Sequence, residues 1–215
     1  GGEGSFIGAI HRNAALLDNC YELTAGSFSS DYENSKLTGE KLFLDPSRIY
    51  ENYEEMLEKE SNISENQSID VVSIVTPNHL HFDPAIKSLE KGLPVIIDKP
   101  MTFDTEQAKI LHDKVEKTKI PFAVTHTYTG YPMVRQARRL VLDGKIGKVR
   151  KVAVEYPQGW LSTMLEKDNN KQASWRTDPT KSGKAGSMGD IGTHAANMVE
   201  YVTGKKIIKL FALID

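Results

Sequence analysis

The stretch Val95-Ile96-Ile97-Asp98-Lys99-Pro100 decides the fold, because a short apolar run passes there directly into an acid, a base and a proline. An apolar run that follows Gly92 and Pro94 is typical of a buried strand in a parallel sheet. Ligands of open α/β sheets bind just beyond the carboxyl ends of the strands. The stretch therefore predicts a strand whose end directs Lys99 at a ligand. Taken alone, the last three residues fit a surface charge pair at least as well.

Two further apolar runs flank this strand in the sequence. Residues 69–75 are almost continuously apolar, and residues 120–125 form another such run after a helical segment. Strands that alternate with helices predict a doubly wound parallel sheet. We therefore expect an α/β domain over residues 1–125.

The turn Thr76-Pro77-Asn78-His79-Leu80-His81 follows the first of these runs at once. Thr76 and Asn78 carry side chains that can hydrogen-bond a nucleotide, and Pro77 stiffens the backbone between them. A plain strand-to-helix turn has the same composition, so the turn alone supports both interpretations equally.

Glycines open the chain. Gly2, Gly4 and Gly8 form a G-x-G-x-x-x-G pattern, one residue longer than the usual dinucleotide fingerprint, and a helical pattern follows over residues 9–17. Glycines allow the backbone to turn tightly and to approach a pyrophosphate at a helix N-terminus. The strand that should precede such a loop is absent, so we expect a chain truncated just upstream.

The choice between NAD and NADP depends on the next predicted strand, over residues 22–28. A ribose-binding acid is expected ~20 residues past the glycines, which falls near Phe28. The nearest acid, Asp31, lies later, whereas Ser27 and Ser29 can donate to a 2'-phosphate. The sequence therefore favours NADP, although serines after a strand are also ordinary turn residues.

A different pattern starts after residue 125, and we expect a second domain over residues 126–215. The predicted elements are a helix over residues 132–143, a strand over 148–156, a long polar loop over 157–188 and a strand over 207–214. The loop carries Trp175-Arg176, an aromatic side chain beside a bidentate anion donor.

Residues 189–201 predict a helix that carries an acid and a histidine. Asp190 and His194 are four residues apart and would share one helical face. A histidine titrates near neutrality and can accept a hydroxyl proton, while the carboxylate biases its tautomer or binds the substrate. An acid favoured by the helix dipole and a partly buried histidine give the same spacing. A metal site would need a third ligand such as Asp98 or His126, and we predict none.

The composition excludes several classes of protein. A net charge of −2 gives no sign of a nucleic-acid or membrane partner. Cys20 is the only cysteine, which excludes an internal disulfide and a multi-cysteine metal site. No apolar run approaches the ~20 residues that cross a bilayer, and no secretory signal is visible, so we expect a cytoplasmic protein.

In their order along the chain, the glycine loop, the turn after residue 75, Asp98-Lys99-Pro100, Trp175-Arg176 and the segment from Asp190 to His194 resemble one family. It is the glucose–fructose oxidoreductase / inositol dehydrogenase / rhizopine catabolism (Gfo/Idh/MocA) family of NAD(P)-dependent oxidoreductases. The resemblance implies an N-terminal Rossmann domain and a C-terminal α/β domain with a mostly antiparallel open sheet. Members are longer, so it implies truncation of both domains here. It also implies a homo-oligomer, either a dimer or a tetramer.

The same resemblance implies roles for individual residues. Lys99, Asp190 and His194 match the catalytic set, and Asp98 stands where the family has glutamate, with the same charge but a shorter reach to the nicotinamide ribose. The residues matched to cofactor binding are Gly2, Gly4, Ser5, Phe6, Ile7, Thr76, Pro77, Asn78, His81, Asp98, Lys99, Trp175 and Arg176.

These expectations combine into reversible hydride transfer between nicotinamide and a secondary alcohol of a sugar, inositol or related polyol. His194 would take the hydroxyl proton, Lys99 would stabilise the developing alkoxide, and Asp190 would orient the substrate and hold His194. Two alternatives stay open. One is a regulatory protein of the same fold that binds a dinucleotide without turnover, and the other is an NAD-dependent enzyme that cleaves glycosides.

Overall fold

The computed structural model describes residues 1–64, 66–168 and 170–213. The chain divides into two compact units, Gly1–Val124 and a second unit that begins at Thr125. Within the described residues, the structure contains no helix of the length and apolar character needed to cross a membrane.

A three-stranded parallel sheet forms the centre of the first unit. Its strands are β1 (Val72–Ile74), β2 (Val95–Ile97) and β3 (Phe122–Val124), with β2 in the middle. In register, β1 and β3 both pair with β2 in parallel, so the three strands end at the same edge of the sheet. The prediction of a parallel sheet is confirmed.

Helices alternate with these strands, because each strand needs a crossover to reach a parallel neighbour. The helices of the first unit are α1 (Ile7–Leu16), α2 (Tyr32–Lys41), α3 (Tyr53–Glu60), α4 (Phe82–Glu90) and α5 (Thr105–Thr118). The core is built where α4 and α5 cover the sheet, and it includes Leu89, Val95, Ile97 and Leu111, each almost fully buried. This burial holds the strand ends in place.

The predicted strand over residues 22–28 is wrong as a strand. Gly26 forms one isolated parallel bridge to Ile49, through its N–H to the Arg48 carbonyl and its carbonyl to the Tyr50 N–H. A ladder needs consecutive pairs, and the Phe28 side chain instead turns into a small separate core with Leu44 and Ile49. The segment is therefore an extended connection that is buried at Gly26 and Phe28.

In the described residues of the second unit, the regular secondary structure is helical. Its helices are α6 (Pro132–Leu142), α7 (Lys171–Arg176), α8 (Pro179–Ser182) and α9 (Thr193–Thr203), with a π-helical turn over Met188–Gly192 just before α9. The predicted helix over 132–143 is confirmed. The predicted loop over 157–188 is wrong in part, because it contains α7 and α8, whose first turns are capped by the side chains of Asn170 and Asp178.

Two predicted strands of the second unit are not formed. Residues 148–156 and 207–213 are not paired as strands in the described part of the chain, and Ile214 lies outside it. Apolar and β-branched side chains favour a strand only when a partner supplies the ladder and covers one face. Here the side chains are open to water, with Ile208 88% and Leu210 84% exposed. The open sheet that the resemblance implies is therefore absent from these residues.

Candidate active site

The glycine loop of the first unit is shaped to hold a dinucleotide. Gly4 adopts φ +77°, and a Cβ added to Gly2 would lie 3.0 Å from Asn34 Oδ1 and 3.1 Å from the Phe28 carbonyl oxygen. The Glu3 N–H donates to Thr38 Oγ1 at 3.0 Å and fixes the loop against α2. Because α1 begins immediately after the loop, its first backbone N–H groups can donate hydrogen bonds to a phosphate. The residues present therefore fit the pyrophosphate of a dinucleotide.

Ser5, Phe6 and Ile7 lie where this loop becomes helix. The Ser5 N–H donates to the Gly2 carbonyl at 3.0 Å, Phe6 is the N-cap residue of α1, and Ile7 is its first helical residue. The structure thus brings all five residues predicted in the loop into one turn at the start of α1.

The residues predicted near the cofactor ribose form hydrogen bonds with nearby residues of the chain. Ser27 Oγ donates to the Glu51 carbonyl at 3.4 Å, and Ser29 Oγ accepts from the Asp31 N–H at 3.1 Å. Asp31 caps α2 by accepting from the Glu33 N–H at 3.1 Å. An acid after two serines, just before a helical pattern, is the signature of such a cap.

The turn after β1 is stiffened by its own hydrogen bonds. Thr76 Oγ1 donates to the Leu80 carbonyl at 2.9 Å, and Pro77 begins a short 3-10 turn. The Asn78 side chain is buried. The residues of this turn that are predicted to bind the cofactor are therefore held in one loop at the carboxyl end of β1.

The His81 ring lies inside the protein rather than at the surface of this turn. Its Nδ1 is 2.7 Å from the Pro100 carbonyl oxygen, and its Nε2 is 2.8 Å from the Thr76 carbonyl oxygen. Burial lowers the pKa of His81, and the hydrogen bonds to these carbonyls oppose that shift. Both nitrogens therefore face backbone, whereas the resemblance implies that His81 contacts the cofactor.

Asp98 and Lys99 follow the central strand β2. The Asp98 N–H donates to the Ile74 carbonyl at 2.9 Å, which extends the β1–β2 pairing by one step. The Asp98 carboxylate lies 3.7 Å from His11 Nε2, and His11 Nδ1 lies 3.0 Å from Ser73 Oγ. Lys99 is half-buried. The sequence analysis missed His11, because its position on α1 carries no signal that it meets Asp98.

In the second unit, the predicted helix that carries Asp190 and His194 does not begin as an α-helix. Asp190 lies in the π-helical turn, and His194 is the second residue of α9. A π-helical turn bonds residue i to residue i+5 rather than i+4, so the backbone at Asp190 is wider than in the α-helix that the spacing predicts. Gly192 ends this turn, and a Cβ there would lie 2.6 Å from Cε at the flexible end of Met188.

Arg176 holds Asp190. Its Nε lies 3.3 Å from Asp190 Oδ2, and its Nη1 donates to Gln172 Oε1 at 2.7 Å. The guanidinium also stacks over Trp175, 4.2 Å from the ring centroid, and lies 5.6 Å from the centroid of Trp160. Guanidinium groups bond carboxylates and stack on aromatic faces at the same time. Arg176 of the predicted pair therefore contacts the predicted catalytic aspartate, and Trp175 contacts Arg176.

Aromatic rings surround His194, which is 7% exposed. The ring centroid of Tyr128 is 4.5 Å away, that of His126 is 5.6 Å and that of Tyr156 is 6.5 Å. A hydrogen bond between the Tyr128 and Tyr156 hydroxyls, together with burial, raises the pKa of Tyr128 to about 12. The Tyr128 hydroxyl is therefore neutral at ordinary pH.

A cleft of about 350 Å³ opens beside His194 in the second unit. Its lining includes Tyr128, Tyr131, Glu155, Tyr156 and Met198. Tyrosine rings and a carboxylate suit a polyhydroxy compound, because the rings cover apolar C–H faces and the oxygens bond hydroxyls. The sequence analysis missed these tyrosines, since spacing along the chain does not show that 128 and 156 meet.

Family models match most of the chain. The model described as "Oxidoreductase family, NAD-binding Rossmann fold" matches residues 2–126, and the GFO/IDH/MocA C-terminal domain matches residues 134–215. The chain belongs to the Gfo/Idh/MocA family. The family expected from the ordered motifs is thereby confirmed, as is its combination of a Rossmann domain with a second domain.

Named relatives and solved structures agree with this assignment. The chain is 35% identical over 210 residues to the "Uncharacterized oxidoreductase YfiI" of Bacillus subtilis (strain 168), covering 97% of this chain and 53% of that protein. It is 34% identical over 144 residues to levoglucosan dehydrogenase of Pseudarthrobacter phenanthrenivorans, covering 67% of this chain and 35% of that protein. An inositol dehydrogenase homolog from Azotobacter vinelandii, solved with NAD+, superposes with a TM-score of 0.89 at 36% identity, covering 94% of this chain and 51% of that one.

This member of the Gfo/Idh/MocA family spans about half the length of those relatives. Its predicted site residues fall in both units. The glycine loop, the turn after β1 and the Asp98-Lys99-Pro100 stretch lie in the first unit, and Trp175, Arg176, Asp190 and His194 lie in the second. No cluster of three or more His, Cys, Asp or Glu side chains suited to a metal ion occurs within residues 1–64, 66–168 and 170–213.

Proposed function

We propose that this protein catalyses reversible hydride transfer between a nicotinamide cofactor and a secondary alcohol of a sugar, an inositol or a related polyol. Family membership supports the reaction class, and the names of the levoglucosan and inositol dehydrogenase relatives support the substrate class. The observation that carries the proposal is the position of Lys99. It follows the central strand of the sheet, at the edge where open α/β sheets bind their ligands.

Each proposed catalytic residue has a role that its chemistry allows. Lys99 donates a hydrogen bond from its ammonium to the reacting oxygen and stabilises the charge that develops there. His194 accepts the hydroxyl proton on a ring nitrogen, and the surrounding aromatic rings limit the access of water to it. Asp190, held by Arg176, orients the substrate hydroxyls. The bound nicotinamide supplies the hydride acceptor.

The cofactor is proposed to bind along the first unit. The fit of the glycine loop to a pyrophosphate supports a dinucleotide, and the homolog solved with NAD+ supports nicotinamide. The preference for NADP stays a prediction from the sequence. It rests on the absence of an acid near Phe28 and on Ser27 and Ser29, whose hydroxyls also have the local partners described above.

Domain limits and assembly complete the proposal. We place the cofactor domain at residues 1–125 and the substrate domain at 126–215, which accords with the extents of the two family models. A homo-oligomer, dimer or tetramer, is proposed from the family resemblance. Sedimentation of the complete protein tests this directly, and a monomer at micromolar concentration would contradict it.

The decisive experiment is a substrate panel with the complete protein. Purified protein is mixed with NAD or NADP and with myo-inositol, levoglucosan or other sugars, and the absorbance band of reduced nicotinamide is followed. We expect the band to grow with at least one polyol. Tight cofactor binding without turnover on any of them would favour the regulatory alternative, and release of p-nitrophenol from a nitrophenyl glycoside would favour the glycoside-cleaving one.

A further inference from the structure

His81 is a buried histidine that links two loops of the first unit. Its side chain is 1% exposed and stands just before α4. One ring nitrogen meets the carbonyl of Thr76, which follows β1, and the other meets the carbonyl of Pro100, which follows β2. Each distance is below 3 Å, so the ring spans the two loops directly.

The chemistry of these contacts fixes what the ring does. A backbone carbonyl only accepts hydrogen bonds, so the ring has to supply the protons. A neutral ring that carries its proton on Nδ1 donates to Pro100, and a protonated ring donates to both carbonyls. The contact to Thr76 stays within the turn that leads to His81, whereas the contact to Pro100 joins residues nineteen positions apart.

Hydrogen bonds anchor the Asp98-Lys99-Pro100 loop on each side of Lys99. The Asp98 N–H bonds the Ile74 carbonyl, which anchors the loop where it leaves β2. Pro100 has no N–H to donate, so its carbonyl is its only backbone hydrogen-bonding group. The contact with His81 therefore anchors the loop on the far side of Lys99, and the lysine lies between two anchored residues.

We propose that His81 is a positioning residue that fixes the loop of Lys99 through the Pro100 carbonyl and thereby sets the position of the Lys99 ammonium. The ring itself does not touch substrate or cofactor, since both of its nitrogens face backbone carbonyls and its surface is buried. The link between the loops stands on the structure alone, and its effect on turnover rests on the proposed function.

Hydrogen exchange tests the link without any substrate. His81→Phe keeps a planar ring and removes both ring nitrogens, and His81→Asn restores one donor close to the position of Nδ1. The control is Ser88→Ala on α4, the helix that follows His81, which removes a buried hydrogen bond to the Pro84 carbonyl and touches neither loop. We expect backbone amides of residues 76–81 and 98–103 to exchange at least about tenfold faster in His81→Phe, with partial recovery in His81→Asn. Exchange as slow as in wild type would overturn the link.

A double-mutant cycle with Lys99→Met tests whether His81 acts through the lysine. In the wild-type background, His81→Phe should lower kcat by roughly 10- to 100-fold and leave the cofactor Kd nearly unchanged. In the Lys99→Met background, the same change should lower kcat less than about threefold, because the group it positions is gone. Equal losses in both backgrounds would overturn the positioning role. A wild-type protein without turnover would contradict the proposed function, while the exchange result would still decide the link.

Discussion

The two groups of proposed catalytic residues are held by different means. In the first unit, Lys99 follows a strand that is hydrogen-bonded on both sides, and the backbone of its loop contacts Ile74 and the His81 ring. In the second unit, Asp190 and His194 are held mainly by side chains, namely an arginine, two tryptophans and a pair of tyrosines. A strand that is paired through its backbone keeps its place when one of its own side chains is changed, whereas a group of stacked side chains depends on each member.

This contrast has a consequence for mutational studies. The paired strands fix the positions of the residues that follow them. In the first unit, a substitution of such a residue should therefore remove one chemical group and leave its neighbours in place. In the second unit, the loss of one stacked side chain should move its neighbours as well.

The largest effect is expected on the free energy of unfolding, at a buried glutamate of the first unit that is bound by other side chains. Glu60 is fully buried, accepts from Arg48 Nε at 3.0 Å and accepts from the Tyr50 hydroxyl at 2.7 Å. Glu60→Ala leaves the Arg48 charge without its partner, so we expect the free energy of unfolding to fall by ~3–5 kcal/mol. Urea denaturation measures it.

Glu58→Ala is the matched control for that prediction. It removes an exposed glutamate from the same helix, α3, together with its ion pair to Lys91. Water screens such a pair, and unfolding should hardly change. If the two variants lost a similar free energy of unfolding, the buried contacts of Glu60 would not be what stabilises this part of the first unit.

Lys99→Met tests the claim that the first unit acts through single groups. The change keeps most of the side-chain stem and removes the charge, and we expect kcat to fall by ~10² to 10³. The cofactor Kd should change little, because the glycine loop is untouched. Lys91→Met, which alters an exposed lysine of the same unit, is the control. Turnover near the wild-type level in Lys99→Met would remove the lysine from the mechanism and favour the regulatory alternative.

The same contrast explains what the sequence could predict. Apolar runs that alternate with helical patterns indicated the sheet, and the order of short motifs indicated the family, because both depend on neighbours along the chain. The contacts of His11 with Asp98 and of Tyr128 with Tyr156 depend on side chains that meet only in the folded protein. The π-helical turn at Asp190 was missed because the residue spacing also fits an α-helix. The predicted strands do not form over residues 148–156 and 207–213, because a strand pattern does not supply the partner that a ladder requires.

Arg176→Lys tests the side-chain anchoring of the second unit. Lysine keeps the charge but loses the fork toward Asp190 and Gln172 and the stacking on Trp175. We expect kcat/KM to fall by roughly 10- to 100-fold, the scale of a lost charge-assisted hydrogen bond.

Arg139→Lys serves as the control for Arg176, since Arg139 lies exposed on α6 with one ion pair to Asp143. The cofactor Kd separates the two roles of Arg176. If kcat/KM falls in Arg176→Lys while the cofactor Kd is unchanged, the result supports a role of Arg176 in positioning Asp190. A loss confined to the cofactor Kd would show that Arg176 serves the cofactor, as the family resemblance implies, and not the aspartate.

The smallest effect concerns the choice of cofactor. Because no acid stands near Phe28, the Kd for NADP should be no weaker than the Kd for NAD. Titration of intrinsic fluorescence measures both on the same protein. NAD bound 100-fold more tightly, a difference of ~2.7 kcal/mol, would contradict the argument from the serines.

The transfer of hydride from substrate carbon to nicotinamide is the central claim, and isotope labelling tests it most directly. The polyol that gives turnover is prepared with deuterium on the carbinol carbon, and the reduced cofactor is examined by NMR at C4 of the nicotinamide. The account predicts one deuterium at C4 for each alcohol oxidised. Reduced cofactor without deuterium, or oxidation of the alcohol without reduced cofactor, would contradict it.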